Sequence, residues 1–440
     1  MDKTVIEGKV KQILGDVAGI DHTRIPSDAH IDDLEIESMN MLVLWESVER
    51  VFSIVVGDKD VGSLTDIAGI VDFIVAKQVP AVQPDRVSTK SIPTRILDGS
   101  SSYLGPDDIM FSDLEIGMHL TGRNNLAETP LLREIGHLRW QHMSAITGVP
   151  SKDVVDEEGE RLYPTFFYVE VVFPPSRPMA SYGENDHLTL VSTLRRFGLS
   201  MLDGEHYLFP AHWPESQKHP PSSPEQSLQE GVPYLHFSNS FVKQWRGAEW
   251  LKQSRPINPG FSQIREMAKP PDSYAILLQA KEKRPLFDVP DAYAPLTPGP
   301  LEFDYRIIPD RDLNAAGLLY FANYPMFLDI AERTLLSTAG ELAFDESLLD
   351  RRTLVHRKSV YLSNATAKDV LTIKLQAWIE NPFLIEHVDP ATAPIRLLLN
   401  FEMYRQSDER LMLVSTARKI VMGQALGETN LLDRLQARVD

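Results

Sequence analysis

A pattern that returns after 195 residues sets the strongest limit on what this chain can fold into. Sliding by 195 superimposes Gly122 on Gly317, Pro130 on Pro325, Leu131 on Met326, Glu134 on Asp329 and Ile135 on Ile330. Both passages read glycine, seven intervening residues, proline, then an apolar–acidic helix. Two amphipathic helices can share a few positions by chance. The common Gly–Pro spacing, followed by strands in the same order, argues for a duplication, and a duplicated unit implies two like folds packed together.

In the first copy a helix is expected from Ala127 to about Thr147, with Pro130 in its first turn, where a missing N–H costs least. Runs rich in β-branched and aromatic residues follow at Leu162–Phe173, Leu188–Leu194 and Tyr234–Val242. Between them, residues 210–233 carry six prolines and read as a long excursion. In the second copy a strand at Leu301–Ile308 precedes a helix at about Tyr324–Ala339. Strands follow at Leu354–Leu362, Val370–Ile379, Ile395–Tyr404 and Leu411–Met422.

The segment ahead of the duplication differs in kind. Residues 1–80 hold seven Lys+Arg against fifteen Asp+Glu, nearly half the excess behind the net charge of −18. Val5, Ile6, Val10, Ile13, Leu14 and Val17 repeat at helical spacing, as do Met41, Leu42, Leu44, Trp45, Val48 and Val51. A further short helix near Asp66–Ala76 is expected to be capped by Ser63 or Thr65. Prolines at 80 and 84 then open a linker. The division is 1–80 helical module, 81–95 linker, 96–300 first repeat with its long loop, and 301–440 second repeat.

The composition excludes several chemistries. The acidic balance argues against nucleic acid or an anionic membrane as partner. With no cysteine there is no disulfide frame, no thiolate nucleophile and no Cys-based metal site. No metal is expected. Neither a signal peptide nor an apolar run long enough to span a bilayer is read, so a cytoplasmic protein is the default.

Within the module, Ile31-Asp32-Asp33-Leu34-Glu35-Ile36-Glu37-Ser38-Met39-Asn40 is an acidic loop whose serine starts an amphipathic helix. A serine there is an ordinary N-cap. Free N–H groups at a helix start also tolerate phosphate, so the position suits a phosphate-linked arm. The layout of the first 78 residues resembles an acyl carrier protein, which implies 4′-phosphopantetheine on Ser38, a phosphopantetheinyl transferase as partner, and a four-helix carrier bundle. Glu37 and Met39 replace the Asp and Leu usual in that family.

The run Asp312-Leu313-Asn314-Ala315-Ala316-Gly317-Leu318-Leu319-Tyr320-Phe321-Ala322-Asn323-Tyr324 resembles the loop-to-helix signature of hotdog-fold acyl-CoA thioesterases. That resemblance implies an α+β tandem (double) hotdog body. The catalytic carboxylate of those hydrolases falls where this chain has Asn314, which serves neither as nucleophile nor as base. The matching position in the first copy is His119. Gly117-Met118-His119-Leu120-Thr121-Gly122-Arg123, with Arg161-Leu162-Tyr163-Pro164-Thr165-Phe166, is similar to the bifunctional acyltransferase/decarboxylases of leinamycin-type polyketide assembly, over roughly residues 100–425.

The second resemblance implies an enzyme that decarboxylates a methylmalonyl-CoA or malonyl-CoA and loads the acyl group onto a carrier, with polyketide synthase modules as partners. Tyr163 matches the family's active-site tyrosine, either as nucleophile or as proton donor. An ordinary phenol, with a pKa near 10, is a poor nucleophile unless its anion is stabilised. Candidates to hold the developing oxyanion are backbone N–H groups at Gly122 and Arg123 or at the helix start near Leu126 and Ala127, helped by the amide and hydroxyl side chains of Ser238, Asn239 and Ser240. His119 is a polar contact or merely structural. Arg123 pairs with a substrate carboxylate or CoA phosphate, or is an exposed loop arginine. Glu128 and Glu134 read as helix-face charges, and His137 and His142 as structural. The rivals are a hotdog dehydratase or isomerase acting on carrier-bound chains, and a non-catalytic acyl-CoA-binding module. Monomer and homodimer both fit the sequence.

Overall fold

The computed structural model describes the chain except residues 35, 37, 62, 78–94, 97–101, 124, 245–250, 339–343, 430 and 437–440. Nearly all of the expected linker 81–95 lies outside the described residues.

The N-terminal module is helical. Helix α1, Lys3–Ala18, buries Ile6, Val10, Ile13, Leu14 and Val17 along one stripe and stops at Gly19, whose φ of 69° lets its N–H close on Gly15. Helix α2, Ser38–Phe52, turns Val43, Leu44 and Val48 against that stripe. Helix α3, Ile67–Lys77, adds Ile67, Ile70, Val71 and Ile74. Its start corrects the expected cap. Asp66 immediately precedes the first helical residue, so its carboxylate accepts from the Gly69 N–H at 2.6 Å, while Ser63 Oγ donates to the Asp60 carbonyl.

The body repeats one topology twice. The first copy contributes β1 (Met110–Glu115), β2 (Tyr163–Val172), β3 (His187–Ser192), β4 (Met201–Pro210) and β5 (Tyr234–Gln244). These lie in the sheet order β1-β3-β4-β5-β2. The second contributes β6 (Leu301–Arg306), β7 (Arg352–Tyr361), β8 (Val370–Glu380), β9 (Pro394–Arg405) and β10 (Arg410–Ala425). Their order is β6-β8-β9-β10-β7, the same path. The copies meet where β2 and β7 pair antiparallel, from His356 opposite Val172 to Val360 opposite Tyr168.

Each copy lays its long helix on the sheet: α4 (Glu128–Thr147) in the first, and, after α5 (Asp272–Gln279), α6 (Tyr324–Ser337) in the second. Leu131 and Ile135 of α4, Phe327 and Leu328 of α6, and Phe237 and Phe401 from the strands share one apolar core. Because successive strand residues face opposite ways, Val169 enters that core while Tyr168 joins a second cluster on the other side. That second cluster contains Tyr274 and Leu277 of α5 together with the carrier-like module's own core.

Glu128 is a correction. It opens α4 but is 7% exposed, and its Oε2 accepts from Arg357 Nε on β7 at 3.0 Å. Burial, only partly offset by the guanidinium, pushes its carboxyl up. It is an internal ion-pair partner across the seam, not a surface charge.

Strand β4 is the element alternation does not announce. Its sequence, MLDGEHYLFP, places Asp203 and His206 inside. Asp203 is held far below the usual carboxylate range because it accepts from His236 and Ser238, which together outweigh its desolvation. His206 pairs with Ser192 Oγ at 2.8 Å, and burial keeps its ring neutral.

Candidate functional site

A cavity of about 860 Å³ opens between the two copies, within the range typical of small-molecule sites. One wall is the start of β2 with the α4 face: Tyr163, Pro164, Phe166, Gly136, His137 and Trp140. The facing wall is the loop ahead of α6, with Asn314, Ala316, Leu319 and Phe321. Gly136 is needed for this approach, since a Cβ there would lie 3.0 Å from the Phe321 ring.

The charge of the lining is one-sided. Arg161, Lys281, Arg284, Arg405 and Arg410 line the cavity, and no Asp or Glu does so among the described residues. In a chain of net charge −18, this concentrates positive potential at one mouth, which favours an anionic ligand. Arg284 also reaches Glu402 at 3.1 Å and Arg405 reaches Asp408 at 2.5 Å, so both guanidiniums are braced from behind.

Tyr163 is half-buried, with the Arg161 guanidinium 4.8 Å from its ring centroid. Asn314 lines the opposite wall, but its Oδ1 is engaged with its own loop, accepting from Ala316 N at 2.9 Å and Leu318 N at 3.1 Å. Gly317, at φ 70°, completes that turn. The preceding Asp312 is fully buried and accepts from Tyr305 and from the Ile308 N–H. The loop is therefore held in shape by its own side chains.

Asn239 lies deeper, in a small recess shared with Gly136, Trp140, Pro164 and Phe166 of the main cavity wall. Its Oδ1 accepts from Arg139 Nε at 3.1 Å and Nη2 at 2.8 Å. With the oxygen so engaged, the amide NH2 is the donor left to the recess. Among the described residues its hydrogen-bond contact is a long 3.4 Å approach to the Ser240 carbonyl. Ser240 is buried beside it, and its Oγ has no partner among the described residues.

Arg139 is the residue the sequence reading missed. It is 5% exposed, burial lowers its pKa to about 10, and it fits only because position 204 is glycine. A Cβ there would fall 2.1 Å from Nη1. The signal was present: Ile135, Arg139, His142 and Ile146 recur at helical spacing, so a charge stands on the buried stripe of α4.

The remaining sequence candidates lie elsewhere. His119, Gly122 and Arg123 are exposed on the turn before α4, and none lines the cavity. Arg123 instead pairs with Asp350 at 2.5 Å. Along the 195-residue repeat these three positions correspond to the loop ahead of α6 in the other copy. His142 is buried against the Asp108 carbonyl, as its structural reading requires, whereas His137 lines the cavity.

In the module, Ser38 is the first residue of the 15-residue α2. A helix of that length leaves its first N–H groups unpaired by backbone and aimed at an incoming phosphate. The backbone setting therefore fits a phosphopantetheine arm. No grouping of metal-ligating side chains occurs among the described residues, and no helix there is long and apolar enough to cross a membrane.

Residues 8–74 match the phosphopantetheine attachment site family. The chain is 28% identical over 79 residues to an acyl carrier protein of Rubrobacter xylanophilus, covering 18% of this chain and 98% of that protein. It is 35% identical over 68 residues to an acyl carrier protein of Tropheryma whipplei, covering 15% and 83%. Among solved structures, a putative oleoyl thioesterase from Lactobacillus plantarum aligns at a TM-score of 0.45 and 12% identity, over 72% of this chain and 97% of that one. The 12:0-ACP thioesterase of Umbellularia californica aligns at 0.41 and 10%, over 71% and 97%. Similarity at that level assigns no function to the body. The N-terminal match is of another order, and 4′-phosphopantetheine is the group such domains carry. Through its N-terminal domain, the chain belongs to the acyl carrier protein family.

Proposed function

We propose that the body is a tandem hotdog enzyme that decarboxylates a malonyl-type CoA thioester and passes the acyl group to a carrier modified on Ser38. The observation that carries this reading is the cavity: five cationic side chains, a half-buried tyrosine, and no carboxylate among its described lining residues.

Hydrolysis in the manner of hotdog thioesterases uses a carboxylate, and Asn314 stands at that position with its oxygen occupied by its own loop. A dehydratase needs an acid to work with its histidine. His137 faces Gln141 at 3.1 Å, and no acid lines the wall with it. Decarboxylation asks for less. The C–C bond to the carboxylate breaks, carbon dioxide leaves, and the electron pair is delocalised onto the thioester carbonyl. A donor held at that oxygen supplies most of the assistance, and an apolar wall strips water from the departing carboxylate.

Asn239 is the donor in this reading, with Arg139 fixing which way its amide faces. In this reading Tyr163 protonates the α-carbon of the enolate, or takes the acyl group on its oxygen as the thioester C–S bond breaks and CoA leaves as the thiol with the phenol proton. The cationic mouth holds the phosphates of CoA. When attached, the phosphopantetheine arm supplies the acceptor thiol, which the cysteine-free chain otherwise lacks.

The experiment is to incubate the holo protein with methylmalonyl-CoA and weigh the carrier domain. A gain equal to a propionyl group supports the reading. An unchanged mass, or a gain that retains the carboxyl, overturns it.

A further inference from the structure

Helix α2 is buried on both sides. One side faces the carrier's own core; the other faces the body. Glu46 is 4% exposed. Its carboxylate accepts from Leu199 N at 3.1 Å, Ser200 N at 3.0 Å and Ser200 Oγ at 2.5 Å, in the turn that leads into β4. Gly198 makes this seat. It has φ 58°, and a Cβ on it would stand 1.5 Å from Glu46 Oε2.

Further contacts run the length of the helix. Glu49 meets Arg255 at 2.7 Å, Arg50 lies 5.4 Å from the centroid of the Phe197 ring, and Asn40 Oδ1 accepts from the Tyr274 hydroxyl at 3.0 Å. Residues 46, 49 and 50 stand three and four apart on one helical face, and Asn40, which also donates to the Val17 carbonyl of α1, lies at its edge, so that face of α2 is committed to the body.

The end of α2 that carries Ser38 packs on an element that reaches the cavity. Asn40, two residues on, touches Tyr274, and Leu277, one turn further along α5, lines the cavity. Helix α5 is itself fixed to the sheet, Ser273 Oγ lying 2.7 Å from Ser238 Oγ. Phe167 and Leu277 belong to the apolar cluster shared by carrier and body, with Leu362 and Leu411 packed against it, and all four line the cavity. The dock and the site share a wall.

From this geometry we infer that the carrier domain docks on the body of its own chain, with Glu46 seated on the Leu199 and Ser200 amides as its anchor, in an orientation that presents Ser38 to the cavity in cis. The inference rests on the reading that this cavity handles the carrier's acyl group.

Two measurements on the full chain separate the dock from the chemistry. Hydrogen exchange at residues 198–200 and along α2, in protein without the arm, reports docking alone. Glu46→Ala and Gly198→Ala are expected to raise exchange there at least tenfold, and Glu46→Gln, which keeps the shape and an acceptor oxygen, by much less. Modification of Glu46→Ala by a phosphopantetheinyl transferase shows that its carrier still folds. If it fails, Gly198→Ala, on the body side, decides the question. Unchanged exchange in the deciding variant overturns the dock. Second, the self-loading rate per chain is measured against chain concentration. A constant rate supports loading in cis, and a rate that climbs in proportion assigns the acceptor to a second copy. If nothing loads at any concentration, the enzymatic reading fails while exchange still rules on the dock.

Discussion

The two copies of the body share a strand order and differ at their openings. The cavity lies where the start of β2 meets the loop ahead of α6, with Tyr163 on one side and Asn314 on the other. The counterpart place is where the start of β7 meets the loop ahead of α4, and there Arg123 is tied to Asp350. Five cations line the first place with no acid among the described lining residues, Arg284 and Arg405 being held by Glu402 and Asp408 outside that lining; at the second, Arg123 meets Asp350. The repeated strand order gives two equivalent places, and they differ in the charges that line them. The first copy also carries the seat for Glu46, so it holds the proposed tyrosine, the proposed oxyanion donor and the dock.

This contrast can be tested by attacking each copy in turn. The largest expected effect is Tyr163→Phe, which removes the reactive hydroxyl and keeps the ring. Loading of the carrier, followed by mass spectrometry, is expected to fall by about 10²–10⁴, the range associated with a positioned proton donor. A Tyr163→Phe chain that loads at the normal rate would remove the tyrosine from the mechanism.

Next comes the seam. Glu128→Ala leaves Arg357 buried with the 3.3 Å contact to Asp329 as its remaining ion pair among the described residues. Denaturant unfolding of the body is expected to lose about 3–5 kcal/mol, the cost of breaking a buried pair. A loss under 1 kcal/mol would mean that water reaches the pair.

Asn239→Ala is expected to lower the decarboxylation rate by about 10²-fold, as removing an oxyanion donor does, with little change in the concentration of CoA ester needed for half-saturation. If saturation shifts and the rate does not, Asn239 only binds.

A smaller effect concerns pH. Burial raises the Glu46 carboxyl to about 7, well above an exposed glutamate. The docked carrier therefore takes up a proton that the free carrier does not hold at neutral pH. Its share of docking stability is present below the free carboxyl's pKa and is lost as pH rises through 7. Exchange at residues 198–200, corrected for the intrinsic rate, should accelerate between pH 6 and 8, and Glu46→Gln should flatten that profile. The smallest effect is Arg123→Ala, expected to change stability by less than about 1 kcal/mol because an exposed pair is screened, and to leave loading intact. Strong loss of loading would show that the second opening is used.

Much of the architecture was legible in the sequence because helical and strand periodicities are local. The expected helix at 127–147 and strands at 162–173, 370–379 and 395–404 differ from the observed elements by a residue or so at each end. Strand β4 was illegible because it carries Asp203 and His206 inward, and their burial is licensed by His236 and Ser192 from other strands. Arg139 was passed over for the same reason: its partner Asn239 lies a hundred residues away. His119 and Arg123 fall on the loop ahead of α4 and do not line the cavity, since a repeat register says nothing about which of two equivalent places holds a pocket.

The seam between the copies has one further consequence. Where β2 meets β7 the contact is made by main-chain hydrogen bonds from His356 to Val360, and every residue but proline brings the same amide and carbonyl to such a ladder. Substitution can rewrite the side chains along both strands without erasing the join. The two halves can therefore keep one strand path while their side chains differ nearly everywhere beyond a glycine, a proline and a helix.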